Sequence, residues 1–529
     1  PRRADARRTM AGLATAPCGR HRRGGADHMN RQIRRLAVAM IALYVMLFAA
    51  LNFWQVDRTE ELASQPGNTR ALIRRFNTPR GPIVTADGVV TARSVQAPGD
   101  SDVRYQRQYP TGDLFAHITG YHTFGLGSTQ LERTRSDVLT GDTFTQQVLA
   151  VEDLLGRTND NSGQIRLTLR HDMQTVAKDL LGEREGSIVL MEIETGAVVA
   201  MWSWPAFDPN LVADPDYDDA FTYLTELQDD PRDPLLANTY QQRYMPGSTF
   251  KVLTTGAALD FGVVTTTSAW PDETSYTPPQ TTDPIENYAG TTCGGDLGEV
   301  FRRSCNTPFA RIAIDLGGDR FQDAMARWGI GEPIPIDLPG AAASSIGDFD
   351  DIDQNLPLLA IRGFGQNDDQ MVPLHMAMVA ATVANDGEMM EPFVVAAELD
   401  HNGRVMGQTR PTVWRRPISR VTAATLHELM IGVAESGTAS CCIALDGGIG
   451  VAAKTGTAQL NGPGEPERSH AWIVAYAPTD QPKYAVAVML KGTNAEISAS
   501  TGGRLAGPIA KAMLDAVFRI DPPVPSGTT

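Results

Sequence analysis

The longest unbroken apolar run in the chain is Leu36 to Trp54, LAVAMIALYVMLFAALNFW. Its 19 residues suffice to span a bilayer as a helix, with Phe53 and Trp54 as an interfacial anchor. The apolar stretch of a cleaved signal is shorter and ends at a small-residue site. Ala49-Ala50-Leu51-Asn52 followed by two aromatics makes a poor site, so the pattern predicts an uncleaved transmembrane anchor over 36–56. Beyond it, residues 57–165 read as a small mixed pedestal. Arg80 to Val90 is a strand, an Asp87-Gly88 turn and a second strand, and glycine and polar residues punctuate Tyr109 to Asp142. No catalytic constellation falls in this stretch.

From Gln164 the pattern tightens. IRLTLR alternates as a strand, and His171 opens a helix. Ser187–Ile193 and Ala197–Trp202 flank Thr195-Gly196 as a β-hairpin. Residues 205–240, rich in Pro, Asp and Asn, read as a long loop with short helical pieces. Helices are predicted from Ser248, near 306–316, over Pro373–Asn385 and over Thr422–Glu435. Strand-like runs at Val451–Ala458, Ala471–Ala477 and Tyr484–Leu490, then a helix over Pro508–Phe518, end the pattern. Strands that open and close a domain around a helical middle predict an α+β fold, in which the first and last strands of an antiparallel sheet pair beside a helical cluster. The predicted division is a tail at 1–35, the anchor at 36–56, the pedestal at 57–165, a second domain at 166–520 and a tail at 521–529.

Composition changes the picture in three places. The formal charge of −16 gives no reason to expect a nucleic-acid partner. The charge is uneven, however: residues 1–35 hold ten arginines against Asp5 and Asp27. A basic tail before an apolar run is a topology signal, and Arg31, Arg34 and Arg35 predict a cytoplasmic N-terminus with everything after about residue 57 exported. The sequence begins with proline, so Met29 is a candidate for the true start. The five cysteines make no Cys-x-x-Cys and the nine histidines no cluster, so no metal and no other cofactor is expected. Cys293 and Cys305 are close in sequence and lie in the exported part, and they are predicted to form a disulfide. Cys441 and Cys442 are neighbours, and a bond between neighbours is strained, so both are expected to be reduced.

The chemistry converges on Tyr244-Met245-Pro246-Gly247-Ser248-Thr249-Phe250-Lys251. Pro-Gly makes a turn, and a serine three residues before a lysine shares a helix face with it. A hydroxyl in a first helical turn, beside an amine, is the layout of an activated nucleophile. The chain holds six lysines against 40 arginines. A lysine kept against that bias fits a role that a permanently charged guanidinium cannot fill, since a desolvated amine can lose its proton. Two further motifs follow. Ser304-Cys305-Asn306 supplies a hydroxyl and a carboxamide; Lys454-Thr455-Gly456-Thr457 supplies an amine and hydroxyls on a strand, with a glycine that admits a close substrate backbone. Each alone reads as an ordinary turn, cap or strand end.

Together, in this order and at separations of 56 and 150 residues, they resemble the signatures of the penicillin-recognising serine acyltransferases. The resemblance extends through residues 186–210, Gly363-Phe364-Gly365-Gln366, Pro373–Ala377 and His470-Ala471-Trp472, and upstream through Arg80–Ile83 and Gly120–Glu132. It is closest to class B penicillin-binding proteins, of the actinobacterial A type. It implies a peptidoglycan D,D-transpeptidase in which Ser248 attacks the penultimate D-Ala carbonyl of a stem peptide, Lys251 takes its proton and Ser304 relays a proton to the leaving amine. Asn306 would hold the stem-peptide amide, and Lys454, Thr455 and Thr457 the terminal carboxylate, with Gly456 between them. The backbone N–H groups of Ser248 and Thr457 would form the oxyanion site. β-Lactams would acylate Ser248, and the implied partner is a polytopic membrane glycan polymerase.

Three observations bear on this. The middle motif is Ser-Cys-Asn where the family often has Ser-Asp-Asn. No Glu-x-x-Leu-Asn lies between Asn306 and Lys454, which argues against a β-lactamase. Only about 110–130 residues separate the anchor from the transpeptidase pattern, too few for a glycosyltransferase. Two other readings stand beside the enzyme: a penicillin-binding scaffold that recruits wall-synthesis partners, and a D,D-carboxypeptidase that passes the acyl group to water.

Overall fold

The computed structural model describes residues 26–52, 76–99, 103–146, 161–348, 352–461, 468–498 and 500–523. The readings on residues 1–25, on Phe53 and Trp54, on 57–75, on 147–160 and on 524–529 lie outside the described residues. The chain divides into two units, 1–72 and 73–529. In the first, helix α1 (Ala26–Asn52) contains the apolar run, and Arg31–Asn52 has a mean hydropathy of 1.9. Its large side chains from Ile33 to Leu51 are exposed all round, the surface of a helix long and apolar enough to cross a membrane.

The second unit begins with the predicted hairpin. Strands β1 (Ile83–Val84) and β2 (Val90–Gln96) pair antiparallel across a turn in which Gly88 takes a φ of +87°. Strand β3 (Tyr105–Gln108) pairs with β2. Beneath them a buried carboxylate, Glu132, receives Arg80 Nε at 3.0 Å and Arg107 Nε at 2.5 Å. Strand β4 (Gln164–Leu167) lies parallel to β1. Helix α2 (His171–Leu181) follows, and the Asp87 carboxylate of the first hairpin's turn caps it by accepting from the N–H groups of His171 and Asp172.

Strands β5 (Gly186–Glu192) and β6 (Val198–Trp204) form the expected hairpin, with Gly196 at φ +81°. Residues 205–240 are more helical than their composition predicts: α3 (Tyr217–Asp229) runs 13 residues because Asp216 caps it, accepting from Asp218 N at 2.9 Å. Then come α4 (Lys251–Asp260), α5 (Leu297–Arg303), α6 (Thr307–Leu316) and α7 (Pro373–Ala384). Every residue of α7 from Pro373 to Val383 is buried, which is why its sequence shows no polar face. Strands β7 (Val395–Leu399) and β8 (Val405–Gln408), helix α8 (Arg420–Ser436), strands β9 (Ala452–Gln459), β10 (Ser469–Ala477) and β11 (Tyr484–Leu490), and helix α9 (Gly502–Ile520) complete the unit.

Two sheets organise it. The core sheet, of five strands, is antiparallel throughout, in the order β9-β10-β11-β5-β6. Its opening and closing strands pair as expected, from Gly186 opposite Leu490 to Glu192 opposite Tyr484. Helices α7 and α9 both pack on β10 and β11, whose residues are buried along their whole length. That burial accounts for near-continuous apolar runs where a half-exposed strand would alternate. The second sheet, β8-β7-β4-β1-β2-β3, is shared between the pedestal strands and a hairpin from late in the sequence.

Two expectations are corrected. Helix α9 starts at Gly502, six residues before Pro508, and carries the proline inside it. A Cβ on Gly502 would lie 2.2 Å from the backbone oxygens of Gly456 and Trp472, so its first turn is set by contact with the sheet, which a sequence signal for proline at a helix start does not see. Cys441 and Cys442 are disulfide-bonded to each other, with Cα atoms 3.8 Å apart. The reason is local: after α8 the chain enters a turn in which Cys442 N–H donates to Ala439 O at 2.9 Å, and this brings the neighbouring side chains together.

Candidate active site

The Ser248 turn is held from three sides. Tyr244 exchanges backbone hydrogen bonds with Met371, at 2.9 and 2.8 Å, and Gly247 N–H donates to Gly365 O at 2.9 Å. Trp472 Nε1 of β10 donates to Met245 O at 2.9 Å. Gly247 has a φ of +54°, and a Cβ there would stand 2.5 Å from Thr457 O, so both conformation and space require glycine. Gly247–Phe250 is a 3-10 turn running into α4, where the sequence predicted the first turn of the helix itself. Ser248 is half-buried.

Lys251 opens α4 and is fully buried. Its Nζ donates to Ser304 O and Cys305 O at 2.8 Å each and to Asn306 Oδ1 at 2.9 Å, and lies 3.4 Å from Ser304 Oγ. These acceptors are neutral, and the rings of Phe309 and Phe364 close the other sides. Burial, with the nearby charge of Lys454, pushes the Lys251 amine well below its ordinary range. The three acceptors oppose this only in part.

Ser304 caps α5 in the left-handed region, at φ +62°, and that geometry turns its hydroxyl between the two amines. Lys454 Nζ, also fully buried, donates to Ser304 Oγ at 2.8 Å and to Thr455 O at 3.0 Å, and burial pushes it down to about 7. Asn306 Nδ2 uses one hydrogen on Glu286 O at 3.0 Å, which leaves its second hydrogen for a ligand. Cys293 and Cys305 are joined as a disulfide beside it. Asn287, which no motif singles out, holds this loop: its Oδ1 accepts from the N–H groups of Asn306 and Thr307 at 2.7 and 3.1 Å.

Strand β9 is the edge of its sheet. Lys454 and Gly456 lie on one face and Thr455 and Thr457 on the other, as the period of a strand requires. A Cβ on Gly456 would sit 2.6 Å from Pro246 O, so glycine lets the strand lie against the Ser248 turn. Thr457 O points outward and accepts from Gln366 Nε2 at 3.4 Å. A strand residue directs its N–H and C=O to the same side, so Thr457 N–H also faces the turn that carries Ser248. Thr457 Oγ1 accepts from Gly502 N at 3.3 Å, at the first residue of α9. Thus Lys251, Ser304, Asn306 and Lys454 form one hydrogen-bonded cluster, and Gly456 and Thr457 lie against the turn that carries Ser248. A half-buried hydroxyl, a deprotonatable amine, a bridging hydroxyl and outward N–H groups are the parts that acyl transfer needs.

The comparisons with known proteins agree with this chemistry. Residues 186–515 match the penicillin binding protein transpeptidase domain, and residues 80–165 the penicillin binding protein A dimerisation domain. The chain is 36% identical over 501 residues to peptidoglycan D,D-transpeptidase PbpA of Mycolicibacterium smegmatis, covering 93% of this chain and 99% of that one. It is 33% identical over 504 residues to peptidoglycan D,D-transpeptidase PbpA of Mycobacterium tuberculosis, covering 93% and 100%. The ceftriaxone acyl-enzyme of penicillin-binding protein A from M. tuberculosis superposes with a TM-score of 0.77 at 31% identity, covering 84% of this chain and 99% of that one. The penicillin G acyl-enzyme of the same protein gives 0.76 at 32%, covering 83% and 100%.

Proposed function

The chain belongs to the penicillin-binding protein transpeptidase family, and on that premise we propose that it is a membrane-anchored peptidoglycan D,D-transpeptidase of class B, acylated at Ser248 by stem peptides and by β-lactams. The observation that carries this reading is the single hydrogen-bonded cluster in which Lys251, Ser304, Asn306 and Lys454, from three separate stretches of sequence, meet beside the Ser248 turn.

In the first half-reaction the Ser248 hydroxyl attacks the penultimate D-Ala carbonyl and its proton passes to neutral Lys251. The oxyanion is held by the N–H groups of Ser248 and Thr457, worth about 2.7–4 kcal/mol per donor in such sites. Collapse breaks the peptide bond, Ser304 relays a proton to the departing D-Ala amine, and an ester to Ser248 remains. An amine from a neighbouring stem then attacks that ester, the Ser248 oxygen leaves with its proton restored, and the cross-link forms. Asn306 holds the donor-stem amide with its free hydrogen. Protonated Lys454 sets a positive potential for the terminal carboxylate, which Thr455 and Thr457 bind.

Helix α1 crosses the membrane once, with Arg31, Arg34 and Arg35 on the cytoplasmic side and the catalytic unit outside. Residues 57–165 act as the pedestal and 166–520 as the transpeptidase domain. The partner is a polytopic glycan polymerase that supplies the strands to be joined. The test is the intact mass of the detergent-solubilised chain after incubation with benzylpenicillin, beside Ser248→Ala. A stable adduct on the wild type alone is expected. Turnover without an adduct means a hydrolase, and no reaction removes the assignment.

A further inference from the structure

We propose that Thr438, which belongs to none of the three motifs, is a positioning residue that aims the Thr455 hydroxyl at the substrate carboxylate. The proposal rests on the transpeptidase reading above. Thr438 lies just beyond the end of α8 and is exposed, whereas Thr455 is 6% exposed. Their hydroxyl oxygens are 2.6 Å apart.

The segment that carries Thr438 is held between the end of α5 and the start of α9. Its N–H donates to Arg302 O at 3.3 Å, and the Arg302 guanidinium donates back to Ser436 O at 2.6 Å. Arg302 lies two residues before Ser304, in the last turn of α5. A Cβ on Gly437 would stand 2.6 Å from Arg302 O, and one on Gly503 would stand 2.4 Å from Thr438 O. These contacts fix Thr438 relative to the Ser304 loop and to the start of α9.

The donor direction between the two hydroxyls follows from proton counting. Each hydroxyl has one hydrogen and can accept. A carboxylate only accepts, so when it arrives the Thr455 hydrogen must point to it. Thr455 can then accept from Thr438, and this is the arrangement in which both hydrogens are used. The Thr438 donation polarises the Thr455 O–H and locks its rotor toward the cleft.

The experiment is second-order acylation by benzylpenicillin of the solubilised full chain, in wild type, Thr438→Val, Thr438→Ser, Thr455→Val and the double valine variant. Valine keeps the shape and removes the hydroxyl. Thr438→Val is expected to slow acylation about three- to tenfold, the range of one hydrogen bond, and Thr438→Ser to restore it. Thr438→Val is expected to add nothing on Thr455→Val, and to have no effect with benzylpenicillin methyl ester, which lacks the anion. A Thr438→Val variant at the wild-type rate overturns the proposal. So does an effect that persists on Thr455→Val or with the ester, and so does failure of serine to rescue. Wild type that is not acylated overturns the transpeptidase reading and this proposal with it, whereas wild-type acylation unaltered by Thr438→Val overturns this proposal alone.

Discussion

Lys454 Nζ donates to Ser304 Oγ at 2.8 Å, so a buried amine from an edge strand meets a half-buried hydroxyl from a helix cap. Lys251 Nζ lies 3.4 Å from the same oxygen. Ser304 therefore stands between two amines, which is the position that the proposed proton relay requires. Ser304→Ala is expected to slow acylation by benzylpenicillin about 10²- to 10⁴-fold, the span of a lost general acid–base group. A fluorescent penicillin measures it, and a rate within twofold of wild type takes Ser304 out of the relay.

With the roles proposed for them, the two lysines also set a pH dependence. Lys251 serves as a base only when neutral, and burial lowers its proton affinity, so acylation rises with pH through its depressed value and then levels. Lys454 attracts a carboxylate only when charged, and burial lowers it from 10.5 to about 7, so that attraction fades as pH rises through about 7. The second-order acylation rate is expected to be bell-shaped, with its falling limb near neutrality. A profile still climbing at pH 9 would contradict the assignment of Lys454.

The same shift has a consequence for stability. The unfolded chain holds a proton on Lys454 up to about 10.5 and the folded chain only up to about 7, so between these values unfolding takes up a proton. The burial cost is full below about pH 7 and is relieved as pH rises toward 10.5. Lys454→Met is expected to abolish acylation yet raise the melting temperature, and by more at pH 6 than at pH 10. A melting temperature that falls at both pH values would mean that the lysine's hydrogen bonds outweigh its desolvation.

What the sequence made legible follows from locality. Ser248 and Lys251 lie three residues apart on one turn, and the β5–β6 hairpin has a two-residue signal, so short-range spacing carries them. The core sheet was legible because strands buried on both faces write long apolar runs. Asn287 was not: its carboxamide supports the Asn306 loop from 19 residues away, and nothing near it in sequence marks that contact. The start of α9 and the sheet shared by β4 and β7 were hidden for the same reason, since each is decided by a neighbour distant in the chain. The Cys441–Cys442 bond is hidden because strain between neighbours is legible in the sequence and the turn that accommodates it is not.

The Cys293–Cys305 disulfide closes a loop across 12 positions and ends inside the middle motif, where Cys305 O accepts from Lys251 Nζ. Cys293→Ser with Cys305→Ser is expected to cost about 2–3 kcal/mol, as a short loop constraint would. It is also expected to slow acylation, because the acceptors that hold Lys251 lose their brace. Urea unfolding and the acylation rate, measured on the same preparation, check both parts. An unchanged urea midpoint would show that the loop is held without the bond.

The pedestal makes a separate prediction. Glu132 is fully buried between Arg80 and Arg107, whose side chains are 4% and 1% exposed. Burial alone pushes its carboxyl up, but Arg107 and Arg80 together outweigh this and hold it below its ordinary 4.5. Glu132→Gln keeps the shape and leaves two buried guanidiniums without their counter-charge, which is expected to cost about 3–5 kcal/mol. The sign with pH follows. A depressed carboxyl contributes stability that is fully present above about 4.5 and is lost as pH falls through the folded value. Wild type should therefore lose stability on acidification below about pH 4.5, and Glu132→Gln should lose less. Among the described residues the hydrogen bonds of Arg80 and Arg107 reach none of the site residues, so the acylation rate per folded molecule should match wild type. Melting curves across this pH range, with acylation as the count of folded molecules, decide it: equal acid sensitivity in the two proteins would show that this carboxylate does not govern the pedestal's stability.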